Sequence, residues 1–328
     1  MEYINTVETV NKLLTDNNEW IVRYKNYAKK IDSNQKQHQE GRTKFRILSP
    51  FHLYTSISNL LKNNVLNYDL RFLGQSVANI KIKQGVVIIT TNKKKDSSNK
   101  KYFHIDVPLK VEKWNSYKAS KFRKEFKQCV SDRGHSQEHK IESALLSEFK
   151  RKDRSTKALC NIQPVLLASS FFQMATPIKA SLLDISYSND KGGGIDILAR
   201  VKHKDNSVKL CVMELKDEYK KSEPPQKVMN QAVAYATFIA NLLRSESGKE
   251  WYKIFGFSGN VPEILTIDVS TVMPSPGNNE LEDFSNERIK ILDDTFIELY
   301  SLYFKDKSKY IDGYNYEFNG SLKEGMMK

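Results

Sequence analysis

Residues 192–216 read GGGIDILARVKHKDNSVKLCVMELK, and this stretch decides the fold. Two apolar runs flank KHKDNS, a polar segment short enough to join neighbouring antiparallel strands. Side chains of a strand alternate with a period of two, so Ile195, Ile197 and Ala199 share one side while Asp196 projects to the other, beside Leu198. In the second run Leu210, Val212, Glu214 and Lys216 share a face opposite Cys211, Met213 and Leu215. Runs this apolar on both faces predict interior strands, where a carboxylate is costly unless a cation or a hydrogen-bond network compensates it. The hairpin lets Asp196 and Glu214 meet. Two carboxylates and an amine at one point have the composition of a hard-metal site with a catalytic lysine beside it. The same groups would also serve as a structural ion pair plus an Asp that caps the glycine turn.

Three consecutive glycines, 192–194, permit a close backbone turn before Asp196. They fit neither the GxxxxGK[ST] phosphate loop nor the GxGxxG dinucleotide form. After Lys216, Pro224 and Pro225 suit a helix entry, and the spacing predicts a helix to about Leu243 with Val228, Gln231, Ala232, Tyr235, Phe238, Ile239 and Leu242 facing inward. Gln231 and Tyr235 lie one turn apart and can reach the same point, although Tyr235 also fits a semi-buried aromatic with a wet hydroxyl. Strands are expected at Tyr252 to Phe257 and Ile264 to Val269, whereas RIKILDDTFIELYSLYF (288–304) suits helix or strand. Upstream, QEHKIESALLSEFKRK predicts a helix with Ile141, Ala144, Leu145 and Phe149 on one stripe. Glu138 and Glu142 border that stripe and Glu148 falls inside it. Helix, hairpin, helix and strand together give an α/β core with a mixed sheet flanked by helices.

The N-terminal part begins with a predicted helix from Thr6 to Ile31, bent near Asp16-Asn17-Asn18, whose Trp20, Tyr24, Tyr27 and Ile31 have core spacing. A helix is expected at Leu53 to Leu61, and strands at Val77 to Lys83, Val86 to Thr91 and Tyr102 to Val107. The basic loop TNKKKDSSNKK carries Lys93, Lys94, Lys95, Lys100 and Lys101, candidates for backbone-phosphate contact or a plain solvated hairpin tip. Trp114 to Val130 reads as an amphipathic helix with Trp114, Tyr117, Phe122, Phe126 and Val130 inward. Its cationic face includes Lys121, Arg123 and Lys124.

Charge divides the chain. Residues 1–134 hold 26 Lys plus Arg against 12 Asp plus Glu, while residues 135–328 hold 26 against 27, so the net charge of +13 comes from the first part. A separate basic N-terminal α+β domain (1–134) for substrate or partner contact, followed by a catalytic domain (135–328) with a peripheral C-terminal segment, accounts for that division. The 28% charged and 39% hydrophobic composition excludes pervasive disorder. With no 18-residue apolar run and no secretory start, a cytoplasmic protein without membrane contact is expected. Cys129, Cys160 and Cys211 are odd in number and widely spaced, as in reduced thiols.

The order of these groups resembles the PD-(D/E)XK nuclease superfamily, the restriction-endonuclease-like fold, over roughly residues 135–270. In that resemblance Glu142 is the helix acid, Asp196 the strand acid, Glu214 and Lys216 the E-x-K pair, and Gln231 with Tyr235 the helix pair. Ile195 stands where the nominal motif has Pro, and 54 residues separate Glu142 from Asp196, which implies an insertion in the core. The resemblance implies a restriction-endonuclease-like core and a metal-dependent nuclease, with Mg²⁺, or Mn²⁺ as a substitute, held by Glu142, Asp196 and Glu214. Catalysis would fall to Asp196, Glu214, Lys216, Gln231 and Tyr235, and the substrate would be DNA, cleaved in defence or restriction, with RNA open. A homodimer or protein partner is compatible with it. The other readings are a catalytically silent nucleic-acid-binding protein and a structural or protein-interaction module that retains the fold.

Overall fold

The computed structural model of the chain describes residues 2–34, 39, 51–57, 67–72, 74–83, 86–91, 117, 119–121, 123, 124, 137–149, 161–181, 184–190, 192–217, 223–274, 288–306 and 316–319. It is an α/β fold with two mixed sheets flanked by helices.

The hairpin at residues 197–215 forms the centre of one sheet. Strands β10 (Ile197–Lys202) and β11 (Val208–Leu215) pair antiparallel from Ile197↔Met213 to Lys202↔Val208, closed by a turn in which Asn206 takes a positive φ of 66°. The alternation read from sequence holds along the ladder. Leu198, Leu210 and Val212 enter one apolar cluster, and Ile197, Ala199, Cys211, Met213 and Leu215 enter the cluster on the opposite face. Ile195, two residues before the ladder, leaves the alternation and is buried in the first cluster. Strand β5 (Ile162–Pro164) pairs antiparallel with β10. On the other side, β11 runs parallel to β12 (Leu265–Pro274), a pairing that needs a crossover. That crossover contains α4 (Pro225–Arg244), with proline at its first turn and an apolar face that covers the sheet. Beyond β12, β14 (Thr295–Asp306) is parallel to it and carries β13 (Arg288–Leu292) and β15 (Tyr316–Asn319) antiparallel. The ambiguous 288–304 segment is therefore a hairpin, broken at Asp293-Asp294.

The second sheet joins β1 (His52–Ser56), β2 (Asn67–Phe72), β3 (Gln75–Lys83) and β4 (Val86–Thr91) to β6 (Leu166–Leu167) and β7 (Ser170–Gln173), in the order β4-β3-β2-β1-β7-β6. Its link across the chain is the parallel pair β1–β7, with Tyr54↔Phe171 and Ser56↔Gln173. A small third ladder pairs β8 (Ile178–Ala180) with β9 (Ile185–Tyr187). Helix α3 (Gln137–Phe149) packs between the two large sheets: Ile141, Leu145 and Phe149 share a cluster with Tyr54 and Phe171 of one and with Met213 and Leu302 of the other.

Helices α1 (Glu2–Asp16) and α2 (Glu19–Ser33) break at 17–18, where the sequence places its polar interruption. Trp20, Tyr24, Tyr27 and Ile31 are core residues. Helix α1 lies on α4, with Thr6 Oγ1 hydrogen-bonded to Asn230 at 2.8 Å and Asn241 Nδ2 to Asn11 at 2.8 Å. Elements on the two sides of residue 134 thus share a sheet and an apolar core.

Three local expectations give way. Residues 52–56 form β1, not a helix, because Leu53 and Tyr54 are both buried on opposite faces of a sheet. Residues 248–254 form α5 (Gly248–Ile254) in place of a strand; the adjacent Trp251 and Tyr252 enter one core cluster together with Phe255, whereas a period of two would send Trp251 and Tyr252 to opposite faces. Tyr117, assigned above to an apolar stripe, is 82% exposed. Among the described residues no helix is long and apolar enough to cross a membrane.

Candidate functional site

Each of the sequence-predicted site residues from the second half sits at one end of the β10–β11 hairpin or on a helix that reaches it. Asp196 precedes β10, and its Oδ2 accepts the backbone N–H of Leu215 at 2.8 Å, which pins the two strand ends together. Asp196 and Glu214 lie within hydrogen-bonding reach of one another. Glu214 projects toward α4, where Gln231 Nε2 donates to its Oε1 at 2.5 Å. Gln231 also contacts the Tyr235 hydroxyl at 3.4 Å, and that hydroxyl donates to the Ala180 carbonyl at 3.4 Å. Tyr235 is buried, so its hydroxyl is a fixed brace and not a wet one. Lys216 follows β11, its backbone N–H bonded to the Val272 carbonyl at 3.0 Å, and its Nζ lies 3.5 Å from Glu138 Oε1.

The glycines make this approach possible. Gly193 N–H donates to the Ile178 carbonyl and its carbonyl accepts from Thr176 N–H, at 2.7 and 2.8 Å. A Cβ on Gly193 would fall 2.2 Å from the Tyr235 hydroxyl. Only glycine lets the backbone and the tyrosine occupy this space. The neighbouring bond from Ile195 N–H to the Met174 carbonyl, 2.9 Å, continues β7 toward the hairpin and stitches the two sheets together at the site.

A cleft of about 240 Å³ opens here, with Glu138, Glu142 and Asp196 in its lining and Ser56, His139 and Gln173 on the wall from α3 and the second sheet. That is room for several waters at ~30 Å³ each. Glu138 and Glu142, one turn apart on α3, both reach it; Glu148's side chain lies outside the described residues. Glu142 is buried and Tyr54 and Arg71 are among its electrostatic neighbours. Lys93, Lys94, Lys95, Lys100 and Lys101 lie outside the described residues. Lys121, Arg123 and Lys124 are helical, with Lys121 and Lys124 exposed.

The electrostatics are those of crowded acids. Burial, with Asp196 and Glu138 adding to it against the pull of Arg71, pushes the Glu142 carboxyl up to about 8. Burial is also the main cause that lifts Asp196 to about 6, and it raises Glu214 well above the carboxylate range, with Asp196 reinforcing it. Lys216 moves upward despite burial, because Glu138, Glu214 and Asp196 surround it. Glu142 Oε1 and Glu214 Oε2 are buried oxygens without a hydrogen bond of good geometry, although the Tyr54 hydroxyl approaches Glu142 and Asp196 approaches Glu214.

Among the described residues no three His, Cys, Asp or Glu side chains are grouped so as to hold a metal ion. The donor chemistry still fits a hard divalent cation. Two carboxyls adjoin, two buried oxygens lack a hydrogen bond of good geometry, and Mg²⁺ binds through as few as one or two carboxylates while keeping several waters. Sequence reasoning missed Ser56, His139, Gln173 and, behind them, Arg71, which come from α3 or from strands distant in sequence. One signal was present for Arg71: YDLRF, residues 68–72, places Asp69 and Arg71 on one face of an otherwise apolar strand.

No family model matches the chain, and neither a curated protein nor a solved structure does.

Proposed function

We propose that the protein is a metal-dependent nuclease of the PD-(D/E)XK type that hydrolyses phosphodiester bonds in DNA. The observation that carries this reading is the convergence of Asp196, Glu214 and Lys216 at one end of β10–β11, with Gln231 bonded to Glu214, beside an open cleft that also receives α3 carboxyls. The element order supports it: a helix carrying acids, an antiparallel hairpin carrying Asp196 and the E-x-K pair, then a helix carrying Gln231 and Tyr235, in a mixed sheet, is the order that the resemblance implies for residues 135–270. A closed structural ion cluster would pair its acids with cations, whereas here Asp196, Glu214 and Glu138 crowd around Lys216, with Glu138, Glu142 and Asp196 lining an open cleft.

Asp196 and Glu214 would hold the ion, with Glu142 reaching it through water. A bound Mg²⁺ supplies Lewis-acid neutralisation of phosphoryl charge and an acidified water. Lys216, as an ammonium, donates to the phosphoryl oxygens as negative charge grows on them. Gln231 keeps the Glu214 carboxylate oriented, and Tyr235 keeps Gln231 in place. In the overall reaction a P–O bond forms from water, the P–O bond to the leaving sugar oxygen breaks, and the proton lost by water ends on that oxygen by way of solvent. Basic side chains of the first 134 residues, in this reading the substrate-binding part of the chain, attract the backbone, and a cytoplasmic setting goes with a nucleic-acid substrate.

Incubation of plasmid and of single-stranded DNA with the purified chain, with Mg²⁺, with Mn²⁺ and with EDTA, tests the proposal. Metal-dependent cleavage that disappears in Asp196→Ala and Lys216→Ala is expected. Tight DNA binding with no cleavage under either ion would favour the silent binding protein.

A further inference from the structure

We propose that Arg71 is a phosphate-binding residue of this cleft, so that the second sheet supplies the anchoring group for a substrate cut on the first; this rests on the nuclease reading. Arg71 stands on β2, far in sequence from the carboxylates. Its guanidinium is held along two edges: Nε donates to Asp69 Oδ2 at 2.6 Å and an Nη to Gln173 Oε1 at 2.8 Å. Its Cζ lies over the Tyr54 ring, 4.3 Å from the centroid. Asp69 is itself fixed by the Ser76 hydroxyl at 2.5 Å. The group is therefore preorganised, and little rotamer freedom is left to lose on binding.

Gln173, its brace, lines the cleft together with Asp196 and Glu142, which places Arg71 one hydrogen bond behind the cleft wall. The side chain retains 18% exposure, and the two named bonds leave other guanidinium N–H groups without a protein acceptor. A planar fork with donors to spare, held directly behind Gln173 of the cleft wall, matches the geometry of a phosphate oxygen pair that displaces or adjoins the Gln173 amide. A counter-ion role toward Asp69 alone would not require the second brace from Gln173 or the stacking on Tyr54. The cation also offsets the repulsion that a phosphate meets from nearby Glu142.

The test separates anchoring from charge balance. Arg71→Gln removes the charge, and the double variant Asp69→Asn/Arg71→Gln replaces the ion pair by two amides, which keeps the fold free of an uncompensated carboxylate. Binding of a fluorescent duplex to metal-free protein is measured by anisotropy across a KCl series, with Asp69→Asn as the control. Loss of one phosphate contact predicts affinity lower by ~10-fold and a log–log salt slope shallower by about 0.9 in both Arg71 variants. Wild-type affinity and slope in the double variant would overturn the proposal and leave Arg71 a counter-ion. A wild-type protein that neither binds nor cuts DNA removes the nuclease reading and this proposal with it; binding by wild type with an unaltered double variant removes Arg71 alone.

Discussion

Gly193→Ala is the substitution with the most to reveal, because it pushes on the candidate site without altering any of its polar groups. The new Cβ would meet the Tyr235 hydroxyl at 2.2 Å and Cζ at 2.6 Å, so roughly 1 Å of retreat is needed to reach ordinary contact. The backbone cannot supply it, since Gly193 is bonded on both sides, to Ile178 and Thr176. Tyr235 must move, and it is a buried aromatic in the middle of α4. Overpacking of this kind costs about 1–3 kcal/mol. Displacement of the hydroxyl also frees Gln231, and through it Glu214, so DNA cleavage should fall while Asp196, Glu214 and Lys216 are all present. Equilibrium urea unfolding followed by tryptophan fluorescence reads the first effect, and plasmid cleavage reads the second. Tyr235→Leu removes the obstructing ring, so the double variant should be less destabilised than the sum of the singles, by about 1 kcal/mol or more. A Gly193→Ala protein within about 0.5 kcal/mol of wild type, or strict additivity with Tyr235→Leu, refutes the steric coupling.

Other outcomes follow from the same geometry. Mg²⁺ titration by calorimetry should give a binding heat in wild type that is lost in Asp196→Ala and in Glu214→Ala; undiminished binding in both would sink the metal assignment. Of the α3 acids, Glu142→Gln should weaken that heat more than Glu138→Gln, because Glu142 is the more buried of the two cleft-lining acids while Glu138 is already paired with Lys216; the reverse order assigns the helix acid to Glu138. Serine at Lys93, Lys94, Lys95, Lys100 and Lys101 should lower duplex affinity alike for unrelated sequences and flatten its salt dependence, with Mg²⁺ affinity unchanged, and matching anisotropy curves would take that loop out of the binding model.

Much of the hairpin and of α4 was legible because both obey a single period. Asp196, Glu214 and Lys216 fall where alternation and a short turn put them, and Gln231 and Tyr235 where one helical turn does. Two segments misled because local pattern is silent about partners. Residues 52–56 became a strand through pairing with β2 and β7, and 248–254 became a helix so that Trp251 could reach the core beneath Tyr24, whose carbonyl its indole N–H meets at 3.2 Å. The wall formed by Ser56 and Gln173, with Arg71 behind it, was hidden for the same reason: no periodicity within β1, β2 or β7 says that these strands will adjoin. The step in charge at residue 134 is equally silent about packing, since surface lysines do not choose which apolar faces meet.

The parallel contact between β1 and β7 also sets a schedule for the nascent chain. Thr55 and Ser170, whose hydroxyls lie 2.7 Å apart in the finished sheet, are separated by 115 residues. At ~5–20 residues per second, β1 leaves the ribosome roughly 6–23 s before the strand that will cover its edge is made. Through that interval the edge has only β2 beside it, and its open N–H and C=O groups are a template for any passing strand. The protein's yield in a cell should therefore depend on translation speed between residues 57 and 170, and on whatever chaperone shields the waiting edge.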